Sequence, residues 1–148
     1  MEKNSQPPVL NAEKLLRHWL GAVRFRFTVA ISGTTSDFAS FDAGYGVRTP
    51  LEIVRHLSQL LHNCCSTIFD SPRVRLETKG WYEEAARFYE IIDQLEQAIL
   101  QLIPEQSTVE YLVQGPLTDA TSHIGQLTML RRLAGIPVGY INYSQATI

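Results

Sequence analysis

The sequence predicts an all-α fold, a four-helix bundle forming one domain over residues 1–148. Three observations predict it. Four segments repeat their apolar residues with the 3.6-residue period of a helix that buries one face. The period-two alternation of a half-buried strand is weak throughout. With 148 residues, 45% of them apolar and 19% charged, composition is ordinary globular. Such a chain buries roughly 68–70% of its unfolded surface without staples.

The first helix starts after Asn11, a good N-cap, and places Leu16, Leu20, Val23, Phe27 and Ala30 on one face. It fades at Ser32-Gly33-Thr34. Residues 37–47 set Gly44 and Gly46 among Phe38, Phe41 and Tyr45, which predicts an ordered loop packed by its aromatics. The second helix has the plainest start in the chain. Thr49 stands at the N-cap, Pro50 in the first turn, and Glu52 where a capping box needs its carboxylate. Ile53, Val54, Leu57, Leu60, Leu61, Cys64 and Ile68 form its apolar face, and Asp70-Ser71-Pro72 ends it. A polar connection over residues 73–80 leads to the third helix, where Phe88, Ile92, Leu95, Ile99 and Leu102 repeat until Pro104. Gly115-Pro116 opens the fourth, Gly135 closes it, and Pro137 follows. The tail over residues 138–148 has no helical period, and Tyr140 and Tyr143 are expected to pack back on the body.

Charge and cysteine usage exclude several classes. The net charge is −2 and the thirteen basic residues are scattered, with only Arg73/Arg75 and Arg131/Arg132 close together, so no nucleic-acid partner is expected. Cys64 and Cys65 are neighbours that point about 100° apart on a helix, so they suit core packing better than a mutual disulfide. The start of the chain has no apolar run behind its charge, so no secretory leader is expected. No run approaches ~18 apolar residues, which argues against a membrane partner. A soluble cytoplasmic protein is the expectation.

The polar residues on the helical faces carry the functional signal. At about 100° per residue, Asp119, His123, Gln126 and Leu130 fall together on what reads as the inward face of the fourth helix. A buried carboxylate without a partner costs on the order of several kcal/mol, so Asp119 should be paired, hydrogen-bonded or bound to a metal. On the second helix, His56 borders the apolar arc with Asn63 and Thr67 on its side. His18 and His62 fall on polar faces and are expected to be solvated. Two imidazoles and a carboxylate from facing helices form a competent shell for zinc, iron or nickel, with a position open to water or substrate. They also suit a buried Asp119–His123 hydrogen bond with an unrelated rim histidine, the commoner arrangement. Gln126 can orient a bound water or a ligand, or bond to a neighbouring helix.

Two motifs narrow these alternatives. Thr49-Pro-Leu-Glu-Ile-Val-Arg-His56-Leu and His123-Ile-Gly-Gln126-Leu-Thr-Met-Leu-Arg-Arg-Leu-Ala-Gly135 together resemble the DinB-like superfamily, the DinB/YfiT-like metalloenzymes. As an architecture the resemblance covers the whole chain, and its specific part is this pair. It implies an up-down-down-up four-helix bundle, often a homodimer, holding one divalent metal ion through three side chains. In the common pattern these are one histidine on the second helix and two histidines four apart on the fourth. His56 matches the first and His123 the last, whereas Asp119 stands where histidine is usual. Aspartate there gives a harder, more anionic two-His, one-carboxylate site, or marks a centre that has lost its metal.

The resemblance thus implies a metal-dependent hydrolase or thiol-dependent transferase, with His56, Asp119 and His123 as ligands of zinc, nickel or iron and Gln126 orienting one of them. Some relatives use the ion to activate a small thiol, such as bacillithiol or mycothiol, by lowering its pKa. No thiol pocket is marked in this sequence. Arg24 and Arg26 are candidates to hold an anionic substrate group. The rival reading is a non-catalytic, dimeric binding or stress-response bundle in which Asp119 and His123 form a structural pair.

Overall fold

Helix α1 (Ala12–Ile31) begins where the Asn11 side chain accepts a hydrogen bond from the Lys14 N–H at 3.2 Å. Its expected face, from Leu16 to Ala30, is fully buried. The computed structural model describes residues 11–148, and the start of the chain, on which the expectation of no leader rests, lies outside them. Among the described residues every regular element is helical and there is no strand. None of these helices is long and apolar enough to cross a membrane.

The loop that follows holds one turn of helix, α2 (Ser36–Ala39), with Phe38 buried edge-on against Trp81 and Phe41 half-buried. Tyr45 departs from the expected packing and is fully exposed. It sits with φ 56° between Gly44 and Gly46, both also left-handed, and this turn carries its side chain away from the body.

Helix α3 (Pro50–Ile68) has the expected capping box. Thr49 Oγ1 accepts from the Glu52 N–H at 3.3 Å, and Glu52 Oε2 accepts from the Thr49 N–H at 2.7 Å. Helix α4 (Trp81–Leu102) buries Phe88, Ile92, Leu95 and Ile99, while Leu102 at its end is exposed. The last helical run differs from expectation at its start. Helix α5 (Gln106–Leu112), a π turn over Val113–Leu117 and helix α6 (Thr118–Leu133) follow without a break. Gly115-Pro116 therefore lies inside the run and does not open it. Pro116 has no N–H to donate and its ring crowds the preceding turn, and a wider turn accommodates both. Gly135, at φ 77°, closes α6: the Ile136 N–H reaches the Arg131 carbonyl and the Gly135 N–H the Arg132 carbonyl.

Each of the four long helices packs on two others, α1 and α3 each meeting α4 and α6. Phe27 of α1 stacks on Phe88 of α4 with ring centroids 3.7 Å apart. Near one end of that contact Arg17 pairs with Glu96 at 3.0 Å, and further along Arg24 pairs with Asp93. Arg26 lies over the Tyr143 ring at 4.2 Å. Both arginines offered for an anionic substrate are thus engaged within the protein. The heads of α3 and α4 meet at Glu84, a fully buried carboxylate held by Arg87 at 2.6 and 2.7 Å, by the Lys79 N–H at 2.8 Å and by Arg55 at 3.6 Å. Arg131, also buried, donates to the carbonyls of Val29, Ala30, Ser32 and Ile136 and so ties the end of α6 to the end of α1. In the tail, Tyr143 packs against Phe25, but Tyr140 is exposed and does not return to the body. His18 is exposed as expected. His62 is half-buried beside α4 and the link after α3, with its Nδ1 shielded from water and without a hydrogen-bond partner.

Candidate metal centre

The buried residues of α6 are Ala120, Ile124, Leu127, Leu130 and Arg131. Asp119, His123 and Gln126 each precede a member of that stripe by one residue, about 100° around the helix. They therefore line the edge of the core and do not face into it, contrary to the reading from sequence. Asp119 is 48% exposed, His123 only 12%, and Gln126 is exposed. Ile124 sets this phase, and Leu133 points to solvent. A water-accessible Asp119 needs no buried partner.

The geometry is convergent. His56, in the second turn of α3, faces the pair on α6. His56 Nε2 lies 3.6 Å from Asp119 Oδ2, and His123 Nε2 lies 3.3 Å from Asp119 Oδ1. The two imidazoles meet edge to face with centroids 4.5 Å apart. One ligating atom from each residue can be chosen so that all three lie within 4.8 Å of one another. Both Asp–His separations exceed the roughly 2.7–3.2 Å of a good hydrogen bond. The 3.3 Å separation matches the ~3.3 Å between neighbouring ligands of a tetrahedral ion bound at about 2.0–2.1 Å, and the 3.6 Å one, to the other carboxylate oxygen, is longer.

Protonation fits the same use. His123 Nδ1 lies 2.9 Å from Gln126 Oε1, and a proton donated along that contact assigns the tautomer whose Nε2 lone pair faces Asp119. Burial lowers the His56 pKa from its ordinary 6.5, the nearby charges of His123 and Arg48 lower it further, and Asp119 opposes them. A neutral imidazole is the form that ligates. The donor set of two nitrogens and one carboxylate suits zinc, nickel or iron, and its opening to solvent leaves room for a further ligand.

Two cavities adjoin the cluster. One of about 500 Å³ reaches Asp119 and is bounded by Arg73, Tyr111 and the π turn. Another of about 230 Å³ reaches His56 and is bounded by Arg55, Arg75 and Arg87. Sequence reasoning passed over Arg73, Tyr111 and Glu84. The signal for the first cavity was present in Gly115-Pro116, a helix breaker inside a continuous helix. Cys64 also lines that cavity, but burial pushes its thiol up to about 12 and that of Cys65 to about 11, so neither supplies a thiolate near neutral pH. No protein-family model, curated protein or solved structure matches this chain.

Proposed function

We propose that the protein is a DinB-like metalloenzyme that holds one divalent ion through His56 Nε2, His123 Nε2 and the Asp119 carboxylate, with Gln126 fixing His123. The observation that carries this reading is the convergence of His56, Asp119 and His123 from two helices, with one ligating atom of each within 4.8 Å of the others. An up-down-down-up bundle and a homodimer belong to the same reading. The first draws support from the pairs already described. Arg55 and Glu84 join the heads of α3 and α4, Arg131 joins the tails of α1 and α6, and α1 runs against α4 from Arg17–Glu96 to Phe27–Phe88.

A divalent ion in this shell supplies Lewis acidity and lowers the pKa of a bound water or thiol, the chemistry of a hydrolase or thiol transferase. The chain's own residues hold the ion and orient it, and they leave its solvent side open. The exposure of Asp119 weakens the rival structural pair, since a solvated carboxylate gains little from one long contact.

Metal analysis of the purified, reconstituted protein tests the reading. About one divalent ion per chain is expected, lost in His56→Ala, Asp119→Ala and His123→Ala and retained in His62→Ala. Equal retention in all four variants would overturn it.

A further inference from the structure

The cavity at Asp119 has the construction of a small-anion pocket. Leu60, Cys64 and Pro116 give it an apolar side, and the π turn forms one wall. At its edge Arg73 Nη2 donates to the Tyr111 hydroxyl oxygen at 2.8 Å. Accepting that bond leaves the Tyr111 proton free to donate, and the guanidinium keeps further N–H groups in its planar fork. Among the described residues Arg73 has no carboxylate partner within ion-pair distance, unlike Arg17, Arg24, Arg55 and Arg87. Arg48 and Arg75 are likewise without one, and both border the cluster at His56. The overall charge is −2, and the charged side chains lining this cavity are Arg73 and Asp119. With a divalent ion offsetting Asp119, a negatively charged molecule is the one this surface favours.

We propose that the cavity binds a small carboxylate with an apolar body, anchored by Arg73 and Tyr111 and extending toward Asp119. Its role as the substrate pocket rests on the metal reading above, whereas anion binding itself does not. The planar guanidinium matches a carboxylate in two parallel hydrogen bonds, and Pro116 and Leu60 receive the apolar part. The π turn places this wall two residues before Asp119, so Tyr111 and Asp119 belong to one continuous helical run, while Arg73 reaches the cavity from the link after α3.

The test compares 3-phenylpropionate with its neutral match, 3-phenylpropionamide, on chelator-stripped and on cobalt(II)-loaded protein, by isothermal titration and amide chemical shifts. Charge-assisted hydrogen bonds predict about a tenfold preference for the carboxylate in loaded protein. In stripped protein, where Asp119 is not offset, about threefold is expected. Arg73→Gln and Tyr111→Phe should erase the preference while leaving the cobalt stoichiometry unchanged, and the exposed Arg132→Gln should alter neither. Because Arg73 and Tyr111 are exposed, folding of the variants is checked by their unchanged circular dichroism. Equal binding of acid and amide, or a preference that survives Arg73→Gln, overturns the proposal. A carboxylate preference in protein that takes up no cobalt would remove the metal reading and the substrate role, and leave the anion site.

Discussion

Gln126 is the residue on which the chemistry of His123 turns. Its Oε1 accepts a hydrogen bond from a protonated Nδ1, the tautomer that leaves the Nε2 lone pair available. Gln126→Leu should therefore weaken metal binding by about 10–100-fold with little loss of fold, measured by competition with a coloured chelator. The same scale holds a pH prediction. The folded His56 has a pKa below 6.5, so the unfolded chain takes up protons first as pH falls. Stability from this group is complete above about pH 6.5 and is lost as pH drops through 6.5 toward the folded value. The chelated protein should show a lower urea midpoint at pH 5.5 than at pH 7.5, and His56→Gln should flatten that difference. A steeper loss in the variant would contradict the assignment. The helical wheel singled out His56 and His123, whose rings the structure brings together, and this much was legible in the sequence. The exposure of Asp119 was not, because one residue of phase separates the edge of a helix from its core.

At the scale of elements, the sequence is clearest where bulky apolar residues crowd one face. Leu16 to Ala30 on α1 and Ile53 to Leu61 on α3 leave no second phase to choose. On α6 the inward stripe is thin, Ala120, Ile124, Leu127 and Leu130, and exposed Met129 and Leu133 compete with it in the pattern. The π turn was hidden for a different reason: proline and glycine ordinarily announce a boundary, and only packing shows that the helix continues. Glu84 was hidden because an i, i+3 pair with Arg87 looks like an ordinary surface ion pair, and only the packing of α3, which brings Arg55, shows that it is buried. Arg131 illustrates what such a residue contributes between elements. Its four carbonyl partners include two at the end of α1, and Arg131→Met would leave them unpaired behind an apolar side chain. About 2–4 kcal/mol of destabilisation is expected, read from chemical denaturation, since hydrogen bonds to a charged donor are lost and buried acceptors stay unsatisfied. A change below about 0.5 kcal/mol would show that water replaces the arginine without cost.

Across the whole molecule, the proposed centre clasps α3 to α6. An ion bound only by the folded chain stabilises it by RT ln(1 + [L]/Kd), about 2.7 kcal/mol at a hundredfold excess over Kd. For a domain of this size that should raise Tm by about 5–10 °C, and excess chelator should reverse it. His62→Ala should show the full rise and His123→Ala none. A rise of equal size in both variants would place the ion elsewhere.

The most direct measurement is diffraction from crystals grown with one equivalent of cobalt or zinc, recorded on both sides of the metal's absorption edge. A single anomalous peak is expected, bonded to His56 Nε2, His123 Nε2 and an Asp119 oxygen at about 2.0–2.2 Å, with at least one further position facing the Arg73 cavity. A peak on any other residues, or density at this point without an anomalous signal while the metal remains in solution, would contradict it.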